Sequence, residues 1–131
     1  MTIDELEKIL KKSWSKETSY FPDGWSETNP VWGQCAVSAL IVNNHFGGEI
    51  VWAEAVLPDG RKISHYFNLI DGREVDLTRS QFPPETRIPA GVEKKETFTS
   101  VRECLLSDGN FKKRYEILKK KVEDNLKVGQ H

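Results

Sequence analysis

Apolar residues recur at helical spacing near both ends of the chain and run or alternate between them. Ile3, Leu6, Ile9, Leu10 and Trp14 fall on one helical face, and Thr2 with Glu5 three residues on has capping-box spacing. This predicts an N-terminal helix clamped on the core. Residues 15–31 lose the periodicity, and Pro22, Asp23-Gly24 and Asn29-Pro30 mark a long loop. Tyr20, Phe21, Trp25 and Trp32 stud that loop, which either walls a cleft or only anchors an irregular connection. From Cys35 to Val42 every residue is small or aliphatic, and the run stops near His45-Phe46 at Gly47-Gly48. A run with no polar face predicts a buried helix with Cys35 in its first turn.

Residues 49–57, 61–70 and 73–78 are rich in strand formers, separated by Pro58-Asp59-Gly60 and by Asp71-Gly72. They predict an antiparallel meander. A two-residue turn at Asp71-Gly72 sets Ile70 opposite Arg73, Phe67 opposite Asp76 and His65 opposite Thr78. His65 and Asp76 then become diagonal neighbours on one face, with Cβ atoms about 7 Å apart. A bulged three-residue turn puts them on opposite faces instead. His65 shares its side with Ile63, Phe67 and Leu69, whereas Asn68 faces the other way and is expected to make a structural hydrogen bond.

Residues 79–98 carry Pro83-Pro84 and Pro89-Ala90-Gly91 and read as a long surface connection, part of it an edge strand. Thr99 or Ser100 caps a short helix through Val101, Cys104 and Leu105 that ends near Asp108-Gly109, with Cys104 on an apolar stripe and assigned to the core. From about residue 110, Phe111, Tyr115, Leu118, Val122 and Leu126 space out one buried helical face. Lys112, Lys113, Arg114, Lys119, Lys120 and Lys121 are assigned to its solvated side, and the tail 128–131 is expected to fray.

The result is an α+β class: one domain over residues 1–131, with a core at 32–80 and a C-terminal helical part at about 99–127. Thirteen aromatic residues (four Trp, three Tyr and six Phe) can fill that core. A formal net charge of -1 argues against a general affinity for nucleic acid or acidic membranes. No apolar run approaches a membrane span, and the first residues lack the apolar centre of a signal peptide. Two cysteines make neither a disulfide framework nor a zinc site, so no metal or cofactor is expected and a reducing cytoplasm fits best. Oxidation could still pair the two.

The chemistry-bearing positions have two readings each. The free N–H groups and positive dipole end of a helix N-terminus favour a thiolate, which makes Cys35 a candidate nucleophile. Buried cysteines also serve simply as small hydrophobes. A half-buried His65 beside Asp76 is what a general base requires, and it is equally a structural hydrogen bond.

The order of a helix-start cysteine, a strand histidine and an aspartate on the next strand resembles that of papain-like and transglutaminase-like thiol enzymes. Gly33-Gln34-Cys35 is similar to the transglutaminase nucleophile motif, His65-Tyr66-Phe67-Asn68 to its His-x-aromatic-Asn segment, and Gly72 through Thr78 to its Gly-x-x-Val-Asp-x-Thr segment. The chain also resembles a group of small bacterial YunG-like proteins. The first resemblance implies a papain-like core with a central nucleophile helix on the meander, flanked by N- and C-terminal helices. It implies a Cys35-His65-Asp76 triad for acyl transfer from a peptide or other amide or acyl substrate, as an amidase, peptidase, deamidase or transglutaminase. The Cys35 N–H is then an oxyanion donor. Gln34, Trp32 and Trp25 are further substrate or oxyanion candidates, with capping the better reading for Gln34 because adjacent helical side chains diverge. Ala36 stands where transglutaminases usually carry Trp, and no metal is carried over. A non-catalytic binding module on the same fold and a redox-sensing thiol protein are the alternatives.

Overall fold

The N-terminal signals fold as their spacing requires. Thr2 caps helix α1 (Ile3–Ser13): its hydroxyl accepts from the Glu5 N–H, and the Glu5 carboxylate accepts from the Thr2 N–H. Trp14 lies just past the helix in extended backbone, and its indole N–H donates to Ser38 Oγ at 2.9 Å. Helix α2 (Cys35–Phe46) buries Val37 and Ala39 through Val42, so it is the central element rather than a surface one. Helix α4 (Gly109–Val128) brings Phe111, Tyr115, Leu118 and Val122 onto the same core as Leu6, Leu10 and Leu40. Truncating a fully buried leucine here, such as Leu40 to alanine, costs about 2–5 kcal/mol. This computed structural model describes residues 1–128, and residues 129–131 of the tail lie outside it.

Strands β1 (Glu49–Val56), β2 (Lys62–Ile70) and β3 (Arg73–Val75) form an antiparallel sheet in that order. Asp71 (φ 52°) and Gly72 (φ 77°) both lie in the left-handed region, the signature of a two-residue type I′ turn. The pairs Ile70–Arg73, Leu69–Glu74 and Asn68–Val75 are those the turn dictates. Pairing stops at Val75 rather than continuing to 78. The Asp76 carboxylate accepts from the Thr78 N–H and hydroxyl, and the chain then enters a 3-10 turn at Arg79–Gln81.

The two sheet faces have different covers. Ile50, Tyr66 and Ile70 pack into the core beneath α2, and Asn68 Nδ2 donates to the Ala39 carbonyl at 2.9 Å, the structural bond expected of it. Val51, Ala53, Phe67 and Ala55 face the other way and are covered by Phe82 and Ile88. That cover is the connection after β3. It meets β1 only in single bridges, Val56 with Arg87 and Trp52 with Val92, so the expected edge strand exists as fragments. His65 lies across from Ala53 on this second face, and α2 packs on the opposite one.

Helix α3 (Val101–Leu106) is capped by Ser100, whose Oγ accepts from the Glu103 N–H. The Asp108 carboxylate accepts from the Asn110 and Phe111 N–H groups at the start of α4. Two of the six cations assigned to solvent on α4 do not face it freely. Lys121 donates to Ser15 Oγ at 2.8 Å, and Arg114 is half-buried against aromatic rings. Arg114 lies three residues after Phe111, within the helix's inward stripe.

Candidate active site

The approach to Cys35 is fixed by backbone. Gly33 has φ 76°, and a Cβ there would meet the Ser19 hydroxyl and the backbone nitrogens of Tyr20 (2.9 Å) and Phe21 (3.0 Å). Only glycine permits both that conformation and that approach. The Tyr20 N–H donates to the Gly33 carbonyl, and Ser19 Oγ donates to the Trp32 carbonyl. The aromatic loop is thereby strapped against the start of α2.

Gln34 is fully buried. Its Oε1 accepts from Thr18 Oγ1 at 2.7 Å, and its Nε2 donates to the Ser15 carbonyl at 3.0 Å. The expected cap is therefore not made: Gln34 occupies the N-cap position, but its side chain ties down residues 15–18 and points away from the cleft. Trp25 likewise turns into its own loop, donating to the Pro30 carbonyl at 2.9 Å, and lies outside the cleft. Trp32 does line the cleft, its ring centroid 5.5 Å from that of Phe21.

Cys35 is the first residue of α2 and opens, half-buried, into a cleft of about 890 Å³, a size suited to a small-molecule or peptide fragment. As at any helix start, the first N–H groups have no carbonyl one turn earlier to bond. Trp32, Tyr66, Gln81, Cys104 and Arg114 share the walls. Cys104 thus departs from its core assignment. It is half-buried on the cleft side of α3, a helix too short to bury all its apolar positions.

His65 has no exposed surface. Its ring stacks on Phe67 at 5.6 Å and meets the edge of Phe82 at 5.1 Å. Nε2 lies 2.6 Å from Asp76 Oδ2, so the diagonal pair closes even though Asp76 stands one residue beyond the paired strand. Gln81 lies against the other ring nitrogen, its Nε2 3.3 Å from Nδ1, while its Oε1 accepts from the Gly33 N–H at 3.2 Å. Gln81 therefore links the histidine to the backbone just ahead of Cys35.

Burial is the strongest influence on the His65 ring and acts to lower its pKa. The Asp76 hydrogen bond, then the hydrogen bond and charge of Cys35, outweigh it together, and the ring is pushed up to about 9. The charged ring is thus the stable form at neutral pH. The Gln81 amide can donate to Nδ1 only while the ring is neutral. Once Nδ1 carries a proton, it becomes a donor and can no longer accept from the Gln81 amide. Burial also raises the Tyr66 phenol, helped by the two cysteines nearby, and so keeps a neutral donor on the cleft wall.

Gln81, Tyr66 and Arg114 went unassigned to the site by sequence. Gln81 follows Thr78 in a segment with no periodicity to place it. Arg114 carried a usable signal, its position three residues after Phe111. Among the described residues, no cluster of three or more His, Cys, Asp or Glu side chains is arranged to hold a metal ion, and no helix is long and apolar enough to cross a membrane.

The family model described as YunG protein matches residues 2–127. The chain belongs to the YunG family. That span takes in all four helices except the final residue of α4, together with Cys35, His65 and Asp76. A relative from Bacillus subtilis (strain 168), described as uncharacterized protein YunG, is 36% identical over 80 residues. The aligned stretch covers 61% of this chain and 63% of that relative, so the chain spans less than two thirds of the relative's length. No solved structure matches the chain.

Proposed function

We propose that this YunG-family chain is a cysteine-dependent acyl-transfer enzyme built on a transglutaminase-like, papain-like core, with Cys35 as nucleophile, His65 as acid and base, and Asp76 as orienting partner. One observation carries the reading. A fully buried imidazole is bonded to a carboxylate at 2.6 Å, and among the influences that push its pKa up is a helix-start cysteine that opens into a cleft. A purely structural His–Asp pair has no need of the third group or of the opening.

In the reaction, the Cys35 sulfur bonds to the substrate carbonyl carbon while the π electrons move to oxygen. The Cys35 N–H is positioned to hold that oxyanion. His65 Nδ1 gives its proton to the leaving amine as the carbon–nitrogen bond breaks, which leaves a thioester. Water, losing a proton to Nδ1, attacks the thioester and expels the thiolate, and the imidazolium–thiolate pair is restored. Replacing that water with an amine makes the net reaction amide exchange. Asp76 holds Nε2–H throughout, which leaves Nδ1, the nitrogen beside Gln81, as the one that exchanges protons.

The test is acylation by p-nitrophenyl acetate. A burst of nitrophenol, one equivalent per chain, with acetyl located on Cys35 and lost in both Cys35→Ser and His65→Ala, supports the assignment. Slow acetylation spread evenly over Cys35 and Cys104 and indifferent to His65 overturns it.

A redox-sensing role draws support from a different observation, that Cys35 and Cys104 line one cleft. Peroxide would oxidise the Cys35 thiolate to a sulfenate with release of water. Displacement of a second water by the Cys104 thiol would then form a disulfide. Mild peroxide followed by non-reducing peptide mapping tests it, and a sulfenate that never yields the disulfide excludes the pair.

A further inference from the structure

The lining of the cleft carries a cation with no salt bridge among the described residues. Arg61, Lys62 and Arg114 all line the cavity. Arg61 is paired with Asp59 at 2.8 Å, and Lys62 has Glu54 at 3.9 Å. Arg114 has no salt bridge and donates no hydrogen bond among the described residues. Asp108 also lines the cavity and its charge acts on Arg114, but it forms no salt bridge with it: its Oδ1 accepts from the N–H groups of Asn110 and Phe111. An arginine on a solvated helix face would leave its head in water. This one is half-buried, with its guanidinium carbon 5.3 Å from the Tyr20 ring centroid and 5.5 Å from that of Phe111.

Aromatic rings beside a guanidinium screen it from water and leave its N–H edge as the polar group presented to a ligand. Burial already lowers the Arg114 pKa, and a guanidinium does not discharge in proteins. Its cost is instead relieved by an anion. A fork of parallel N–H donors fits a carboxylate in two bonds. A single guanidinium balances one negative charge, which a carboxylate supplies and a phosphate dianion exceeds.

We propose that Arg114 is the substrate-anchoring residue of this cleft and binds a carboxylate on the molecule whose carbonyl faces Cys35. The inference rests on the acyl-transfer reading and narrows it to anionic substrates: an amide or thioester compound carrying a free carboxylate, with that group at the α4 wall and its reacting carbonyl at the α2 end.

The experiment compares alkylation of Cys35 by iodoacetate and by iodoacetamide, which differ in one carboxylate, with each cysteine quantified by peptide mapping. In the wild type, the iodoacetate-to-iodoacetamide ratio at Cys35 should exceed that of a free thiol and fall as salt is added. In Arg114→Gln it should drop about tenfold, as for loss of a hydrogen bond to a charged group. Arg114→Lys should retain part of the preference, and Lys113→Gln all of it. The ratio cancels any change in the thiol's own reactivity, so an ordinary thiol with an intact iodoacetate preference refutes the enzyme reading alone. A wild-type ratio equal to that of a free thiol, or one untouched by Arg114→Gln, overturns the carboxylate site.

Protection of wild-type Cys35 from iodoacetamide by glutarate but not by glutaramide gives the same answer without a variant. Protection by phosphate exceeding that by glutarate contradicts it. Acetyl-Ala-Ala with a free C-terminus, set against acetyl-Asp-amide, tells a chain-terminal carboxylate from a side-chain one, and protection by neither counts against the site.

Discussion

The cleft has two cysteines in its lining, and they differ in what stands behind the sulfur. Cys35 begins a twelve-residue helix and faces an imidazole locked between Asp76, Phe67 and Phe82. Cys104 sits in the six-residue α3, with Tyr66 and Arg114 in the same lining and, among the described residues there, no histidine. Same residue, same cavity, both half-buried: under the proposed reading, the groups for proton transfer serve Cys35 alone. The wall with Cys104 and Arg114 has instead the charge and rings suited to holding a ligand.

The contrast breaks most completely if the imidazole is removed. His65→Ala should slow Cys35 alkylation at pH 6 by about a hundredfold, the low end for loss of an acid–base partner, and leave Cys104 unchanged. Equal slowing of both cysteines would mean a collapsed cleft, which near-UV circular dichroism would show. Next in size is Asp76→Asn. It should cost Cys35 about tenfold at the same pH, the equivalent of about one pKa unit taken from the ring.

These two positions also show what was legible. Asp71-Gly72 is a turn whose left-handed geometry fixes register, and from register alone His65 and Asp76 fell together. The capping box at Thr2, the buried α2 and the inward stripe of α4 follow equally from local patterns. What stayed hidden was decided by tertiary contacts without a periodic trace. Gln34 bonds backward to Ser15 and Thr18, sixteen or more residues away, so no local rule places it. Gln81 reaches Gly33 across 48 positions. Strand β3 ends early because an Asp76 side chain competes for its own backbone, which a strand-former count cannot register. The cover of the His65 face by an irregular segment, with α2 on the opposite face, likewise has no sequence signal.

A smaller effect separates the walls by pH. The folded-state pKa of His65 lies above its ordinary value of 6.5, near 9. The stabilisation it brings is therefore complete below pH 6.5 and lost as pH rises from there through about 9. The melting temperature should decline across that window in the wild type and flatten in Asp76→Asn. A wild-type curve level from pH 6 to 9 would contradict the charged pair. The smallest expected change is Gln81→Ala. It removes a donor that matters only to the neutral ring, and should alter Cys35 reactivity by about two- to threefold while leaving Cys104 untouched.

The most direct measurement is the alkylation rate of Cys35 by iodoacetamide between pH 5 and 9, with Cys104 in the same molecule as the reference. The account predicts that at pH 6 Cys35 still reacts, and far faster than Cys104 in the same molecule. Two superimposable curves would show that His65 and Asp76 do nothing for the sulfur beside them, and the acyl-transfer reading would fall.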